Sequence, residues 1–353
     1  MVFILSLLTA ILFVLLFEKP LKRNPIPFYV VSALISVAII ILQLQNVSFG
    51  GYVGKYLYPM LSNAGLGAAF FVLVMYAATF ENGSYPAKLL IPIRGQLSII
   101  ASILTLAHVF SFSTLLSPKL SLVYILSAVM VIIMIPLFIT SFIKIRRRMH
   151  PKTWKSLQRF AYAFYLLIYL HILFLYIRRA MHGDSRSAQN IAVYSVVFLW
   201  YFICRPIKAY STKHKDFNLN RFRYISLVPI ALLSFGIYGY MQNTAAAPEQ
   251  IAETENTSTE ASSTITDGIY SATCFGYAGD ITVEIKVENE EVVDITLPDY
   301  GDEPDYKHFS EDVVKQLKQD PLADVDAVSE ATFSTKAVIE AYNDALKQAG
   351  IIK

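Results

Sequence analysis

Long runs of apolar residues dominate the first two thirds of the chain, and they determine its class. Each run is near the length that a helix needs to cross a bilayer, where backbone N–H and C=O groups must pair within the helix. The first run lacks a basic segment before it and a small-residue cleavage site after it, so we expect a retained anchor. The pattern predicts eight membrane helices, at residues 2–17, 28–46, 64–80, 96–114, 120–142, 161–177, 191–204 and 224–241.

The pattern changes after residue 241. Residues 242–266 contain no aromatic residue and are rich in Ser, Thr, Ala and Glu, which is typical of a disordered linker. Beyond the linker, alternating apolar positions predict two strands, at 281–287 and 293–297, with a turn near 289–291. Helices are predicted at 309–318 and at 337–348, the second ending before a glycine. Its predicted apolar face consists of Val338, Tyr342, Ala345, Leu346 and Ala349. We therefore expect a polytopic α-helical membrane protein of about eight helices, with a small α+β domain at residues 267–353.

Charge is divided sharply between the two parts. Residues 1–241 carry 23 Lys and Arg against 4 Asp and Glu, whereas residues 264–353 carry 7 against 19. The cations concentrate in the loops after the first, third, fifth and seventh predicted helices, with seven of them between residues 144 and 159. The positive-inside rule places these loops in the cytoplasm, so the tail domain is expected outside the cell membrane. The lipid bilayer is an expected partner, and no nucleic-acid partner is indicated.

A short motif precedes the last predicted helix. The segment Asp326-Ala-Val-Ser-Glu-Ala-Thr332 resembles the Asp-x-x-(Ser/Thr)-Gly-Ala-Thr signature of FMN-binding domains. These domains occur in a subunit of the Na+-pumping NADH:quinone reductase and in its relative in the Rnf complex. The resemblance covers about residues 265–350 and includes Gly276-Tyr-Ala-Gly279. It implies FMN attached to Thr332 through a phosphoester bond by a flavin transferase, with the other binding residues at Asp326, Ser329, Ala331, Ser334 and Thr335.

One residue of the motif departs from the family. Glu330 stands where the family usually has Gly, which would permit positive φ and a close approach to phosphate. A phosphate on Thr332 would lie just before the last helix, where free N–H groups and the helix dipole favour an anion. Ser334 or Thr335 is the predicted N-cap of that helix. The alternative interpretation is an ordinary loop before a capped helix.

Two histidines, His108 and His171, lie well inside apolar helices. Ionisable side chains at such depth are costly and usually functional. Each is predicted near the outer end of its helix, where two imidazoles at one level can hold a b-type haem iron. The alternative for each is a hydrogen bond to a neighbouring helix.

The segments around these histidines resemble ferric-reductase-like membrane domains, including the haem-binding membrane subunit of a bacterial methionine sulfoxide reductase system. The domain is placed at residues 61–241, after two further helices in residues 1–60. The resemblance implies haem b between His108 and His171. The inner histidine of the family is Gln158 here, and Arg94 has no histidine at its level, so we expect one haem. Arg94 is a candidate contact for a haem propionate or a quinone.

Several motifs are missing from the sequence, which contains no Gly-x-Gly-x-x-Gly after a strand, no Walker A motif and no Cys-x-x-Cys. Electrons would therefore come from a quinol or a separate cytosolic reductase. We expect an electron-transfer component, and no catalytic residue is assigned. Two alternatives remain: a transporter or sensor with a non-covalent ligand-binding tail, and a structural subunit of a redox complex that lacks cofactors.

Overall fold

The computed structural model describes the chain except residues 1, 46, 48, 112–121, 182–183, 215–216, 247–266, 278, 303–305, 324, 329–330 and 353. The chain divides into two compact units, Met1–Ala246 and Ala247–Lys353. Most of the predicted linker, residues 247–266, lies outside the described residues.

The first unit is helical wherever its regular structure is described. A π-helical turn, Val53–Leu57, precedes α3, and a 3-10 turn, Ile91–Ile93, precedes α6. The helices are α1 (Val2–Arg23), α2 (Ile26–Leu44), α3 (Tyr58–Ser62), α4 (Gly65–Tyr76), α5 (Tyr85–Leu90), α6 (Arg94–Ser111), α7 (Leu122–Ser141), α8 (Ile143–Arg146), α9 (Pro151–Gln158), α10 (Phe160–Met181), α11 (Ser185–Ser211) and α12 (Leu219–Ala246).

Seven helices of the described residues are long and apolar enough to cross a membrane, and an eighth span exists if one bent pair is counted. The pair is Val53–Ser62 followed by α4, with a bend of 55° between them. Ala64, between the two, has a left-handed backbone with φ of 55°, which ends one helix and starts the next. The third predicted helix is therefore α4, a helix of 12 residues that spans a bilayer only together with the segment before it.

Several helices extend past their predicted ends, and α11 and α12 do so at both ends. α11 begins at Ser185 rather than 191, because the Asp184 carboxylate caps it by accepting from the backbone N–H groups of Arg186 and Ser187, each at 3.1 Å. α12 continues to Ala246, five residues into the predicted linker. Hydropathy marks the apolar part of a helix, so the polar turns at its ends are missed.

Packing inside the first unit centres on α6, which lies against α2, α4 and α7, and on α11, which lies against α10 and α12. The aromatic residues Phe70, Phe198 and Tyr201 belong to this core and are almost completely buried. Large apolar side chains on the outer faces stay exposed, for example Leu34 at 64% and Ile132 at 69%. A continuous exposed apolar surface is unfavourable in water and is the surface that acyl chains cover in a bilayer.

The second unit is a three-stranded antiparallel sheet with two helices. The strands are β1 (Gly268–Phe275), β2 (Asp280–Glu288) and β3 (Glu291–Tyr300), in the order β1-β2-β3, and the helices are α13 (Lys307–Gln319) and α14 (Thr332–Gln348). Asn289 and Glu290 form a two-residue turn with φ of 52° and 66°. Positive φ at both positions is the geometry of a type I′ hairpin turn, so the predicted turn is confirmed.

The core of this unit follows the predicted alternation. Every second side chain of β2 is buried, namely Ile281, Val283, Ile285 and Val287. The predicted apolar face of α14 packs on β1 and β2, and all of its members are buried: Val338, Tyr342, Ala345, Leu346 and Ala349. The Tyr342 hydroxyl donates to the Pro321 carbonyl at 2.8 Å, and burial raises the pKa of Tyr342 to about 12.

We expect Ile285→Ala to destabilise the second unit by about 3 kcal/mol, because the truncation removes buried apolar contacts and leaves a cavity. Ile285 is completely buried, whereas Ile269 on the neighbouring strand is 64% exposed and provides the matched control. The measurement is urea unfolding of a protein comprising residues 267–353. Equal effects of Ile285→Ala and Ile269→Ala would contradict the packing described here.

Candidate flavin site and histidine pair

The last helix begins at the predicted attachment residue. Thr332 is the first residue of α14, and its N-cap, Ala331, makes no side-chain capping bond. The prediction that Ser334 or Thr335 caps this helix is wrong, because both residues lie inside its first turn and are almost completely buried. Their hydroxyl groups bond other parts of the unit instead.

A buried carboxylate connects this helix to the sheet. Asp302 is 5% exposed, and its Oδ2 atom accepts from the Tyr277 backbone N–H and from the Ser334 hydroxyl, each at 2.7 Å. A carboxylate removed from water needs such donors. Asp302 therefore joins the turn after β1 to the first turn of α14, directly beside Thr332.

Two glycines allow this connection. A Cβ atom at Gly276 would overlap the Asp302 carboxylate, and one at Gly279 would overlap the Gly301 carbonyl. The Gly276 N–H donates to the Gly279 carbonyl at 2.8 Å, which closes the turn between β1 and β2. Gly276 and Gly279 belong to the segment that resembles the FMN-binding domains. Glycine is required at both positions because other atoms of the unit lie too close to the backbone for a Cβ atom.

The hydroxyl of Thr335 holds the segment before α14. It accepts from the Val328 N–H at 3.0 Å and donates to the Ala331 carbonyl at 2.8 Å. Ala331 is 4% exposed, whereas Asp326 is exposed to solvent. Ser329 and Glu330 lie outside the described residues. Of the predicted site, the structure therefore brings together Ala331, Ser334 and Thr335 around the start of α14.

Aromatic rings flank the same helix end. The Tyr277 ring lies 5.3 Å from the Tyr306 ring and 6.5 Å from the Phe333 ring, measured between centroids. Phe333, next to Thr332, remains 39% exposed. Exposed aromatic faces can stack on a planar ligand ring.

The sequence analysis missed Asp302, Tyr277 and Phe333. Phe333 could have been found from its position beside Thr332, and Tyr277 from its place between the two glycines. Asp302 carries no local signal beyond its position just after the last strand.

The histidine pair lies in the first unit, and hydrogen bonds determine which ring nitrogen carries the proton. His108 Nδ1 lies 3.1 Å from the Ser62 carbonyl, which can only accept. His171 Nδ1 lies 3.3 Å from the Ser127 hydroxyl, whose own proton goes to the Val123 carbonyl at 2.9 Å. Each neutral imidazole therefore carries its proton on Nδ1 and has a lone pair on Nε2, the arrangement typical of a metal-ligating histidine.

His108 lies three residues before Ser111, the last residue of α6 that the structure describes. His171 lies near the middle of α10, with ten residues after it, so the prediction of a position near the helix end is wrong. The described part of the chain contains no group of three or more His, Cys, Asp or Glu side chains that could hold a metal ion.

Arg94 is far from this pair. It is the first residue of α6, about 21 Å from His108 along the helix axis, and its guanidinium lies near the Tyr165 side chain. Gln158 donates to the Thr140 hydroxyl at 3.2 Å. The structure brings Arg94 and Gln158 together, since both line one cavity, but it does not bring Arg94 to the histidines.

Comparison with known proteins agrees with the description of the second unit. Residues 276–347 match the FMN-binding domain family. The whole chain is similar to an uncharacterized protein of Treponema pallidum (strain Nichols), with 28% identity over 357 residues that cover 97% of this chain and 98% of that protein. The chain therefore combines a helical part with seven candidate membrane spans and a C-terminal FMN-binding domain. The ferric-reductase-like resemblance of residues 61–241 stays a prediction.

We expect Asp302→Ala to destabilise the FMN-binding unit by about 1–3 kcal/mol, because it leaves the Tyr277 N–H and the Ser334 hydroxyl without their acceptor. Asp299→Ala is the control, since Asp299 is exposed and belongs to the same strand end. Thermal unfolding of a protein comprising residues 267–353 checks this. If the two variants unfold alike, Asp302 does not connect the turn to α14.

Proposed function

We propose that this protein transfers electrons across a membrane to a flavin. A donor on the inner side, a quinol or a separate cytosolic reductase, would supply electrons to one haem b between His108 and His171. FMN linked covalently to Thr332 would then reduce an acceptor outside the cytoplasm. The observation that carries the proposal is an FMN-binding domain in the same chain as seven candidate membrane spans.

The full-length relative supports treating the two parts as one functional protein. The similarity to the Treponema pallidum protein covers nearly all of both chains, so it includes the helical part as well as the FMN-binding part. A flavin domain held in the same chain as membrane helices stays close to the bilayer. This favours a redox role in the membrane over a soluble flavoprotein.

The start of α14 fits a phosphate group. The N-cap residue, Ala331, has no polar side chain, and the backbone N–H groups of the first helical turn are the kind of donors that bind phosphate oxygens. Lys336, one turn further along the helix, is a surface cation that pairs with Glu340 at 3.4 Å. The linkage would be a phosphoester between the Thr332 hydroxyl and the phosphate of FMN, formed with the net loss of one water and catalysed by a flavin transferase.

The surroundings of this helix end fit the rest of the cofactor. Phe333 and Tyr277 would contact the flavin ring, and Asp302 with Ser334 would keep the helix end fixed relative to the sheet. When bound, FMN supplies hydride and one-electron chemistry, while the protein supplies position and electrostatics.

Charge points to the kind of acceptor. Residues 264–353 carry 19 Asp and Glu against 7 Lys and Arg. A surface of this sign favours a soluble partner with a basic patch, or a small cationic acceptor.

Thr332→Ala should abolish covalent flavin. Protein co-expressed with a flavin transferase is expected to gain the mass of one FMN minus water and to fluoresce in a denaturing gel, whereas the variant does neither. Thr296→Ala is the control, because Thr296 is an exposed threonine of the same unit. Intact mass spectrometry makes the measurement.

An unmodified mass in the presence of an active transferase would mean that Glu330 prevents attachment. That result would favour non-covalent binding of the ligand and the alternative function as a transporter or sensor.

The histidine pair fits a haem iron in one respect, since the Nε2 atoms of His108 and His171 both carry a lone pair. The Ser62 carbonyl and the Ser127 hydroxyl fix the two rings through Nδ1. When bound, a haem with two histidine ligands supplies one-electron transfer.

His108→Ala and His171→Ala are each expected to remove a reducible b-type absorption spectrum while Thr332 keeps its flavin. His214→Ala is the control, because His214 is an exposed residue that stacks on Tyr210. The measurement is a dithionite-reduced difference spectrum together with in-gel flavin fluorescence. A spectrum that survives both substitutions would show that the ligand assignment is wrong.

A further inference from the structure

A second feature of the helical unit is a cavity of about 550 Å³ at the end where α6 begins. Its floor is apolar and includes Phe71 of α4, Met134 of α7 and Phe164 of α10. Arg94 and Gln158, which have no role at the histidine pair, both line it. Neither the flavin nor the haem proposal uses this cavity.

The rim of the cavity is strongly basic. Of its lining residues, all of which the structure describes, none is Asp or Glu, whereas five are cations: Arg94, Arg146, Lys155, Arg159 and Arg205. The contacts that the structure gives these cations are to neutral groups. Arg205 Nε donates to the Tyr162 hydroxyl at 3.0 Å, and the Arg146 guanidinium lies 4.2 Å from the centre of the Trp154 ring.

A cavity with this arrangement of charges favours a bound anion. Five positive charges around an apolar floor repel one another, and the low dielectric of the floor strengthens the repulsion. An anionic group at the rim would offset it, and arginine matches phosphate because its planar fork donates two parallel hydrogen bonds. A neutral quinol head would leave the five charges uncompensated, so it is the poorer occupant.

We propose that this cavity binds the phosphate headgroup of an anionic phospholipid. Basic pockets between membrane helices hold such headgroups, and an apolar floor suits the glycerol backbone and the first acyl carbons. Ile91 and Ile143 line the same cavity and are 53% and 49% exposed, so an apolar path leads from it to the outer surface. Acyl chains would follow that path, whereas a soluble phosphorylated ligand would make no use of it.

The site is separate from the histidine pair. Ser102 and Tyr165 line the cavity, and each precedes a histidine of its own helix by six residues, about 9 Å along the axis. A bound headgroup would join the start of α6, the junction of α9 with α10, and α11 through Arg94, Arg159 and Arg205. Binding of a phospholipid in this cavity therefore requires neither haem nor flavin.

The test uses the full chain in mild detergent. Native mass spectrometry of the purified protein is expected to show one retained anionic phospholipid, and delipidated protein is then titrated with phosphatidylglycerol and with phosphatidylcholine. In Arg94→Gln/Arg205→Gln we expect binding of phosphatidylglycerol to weaken by about tenfold for each arginine that no longer pairs with the phosphate. Lys22→Gln/Arg23→Gln is the control, because it removes two exposed cations at the end of α1.

A second variant separates a loss of lipid binding from a loss of folding. Arg205 donates to the Tyr162 hydroxyl of α10 and Arg94 lies near Tyr165 of the same helix, so their loss could disturb packing. Lys155→Gln/Arg159→Gln changes two exposed rim cations and should weaken binding while the elution volume and melting temperature stay unchanged. Three results would overturn the proposal: equal phospholipid retention in wild type, rim variants and control; equal affinity for the two lipids; or displacement of the lipid by free FMN or a quinone.

Discussion

A polar group placed in apolar surroundings is costly unless it finds a partner, and this constraint shapes both units of the protein. In the first unit the backbone groups pair within helices, which is why long apolar runs become helices at all. Three polar side chains there are paired as well: His108 with the Ser62 carbonyl, His171 with Ser127, and Gln158 with Thr140. In the second unit the same constraint surrounds the Asp302 carboxylate with donors.

The constraint also explains why these positions are suited to cofactor chemistry. A histidine whose Nδ1 proton is already donated can offer only its Nε2 lone pair, so its ligating atom is chosen before any metal arrives. The start of a helix, with its N–H groups and its dipole, favours an anion. The proposed haem site would therefore rely on hydrogen bonds that orient the ligating atoms, and the proposed flavin site on the attraction of a helix start for phosphate.

Electrostatics divides the protein in a similar way. The helical part is basic and the FMN-binding part is acidic, and five basic residues of the helical part line one cavity at the start of α6. A charge bias that serves as a topology signal in the sequence becomes, in three dimensions, a cavity rim with five cations and no acidic residue among those that line it. The same residues can therefore orient the chain in the membrane and bind an anion there.

The sequence by itself determined the class of protein, the helical and α+β parts, the strand alternation of β2, the apolar face of α14 and the segment that precedes that helix. These follow from local periodicity and hydropathy, which need no knowledge of neighbours. The tertiary structure decided the helix ends, the bend before α4, the start of α14 and the contacts of Asp302. Each of these depends on a partner distant in sequence or on a polar group that hydropathy does not register. Asp302 meets Ser334 across 32 positions, and Arg205 meets Tyr162 across 43, because packing brings together residues that no local pattern can link.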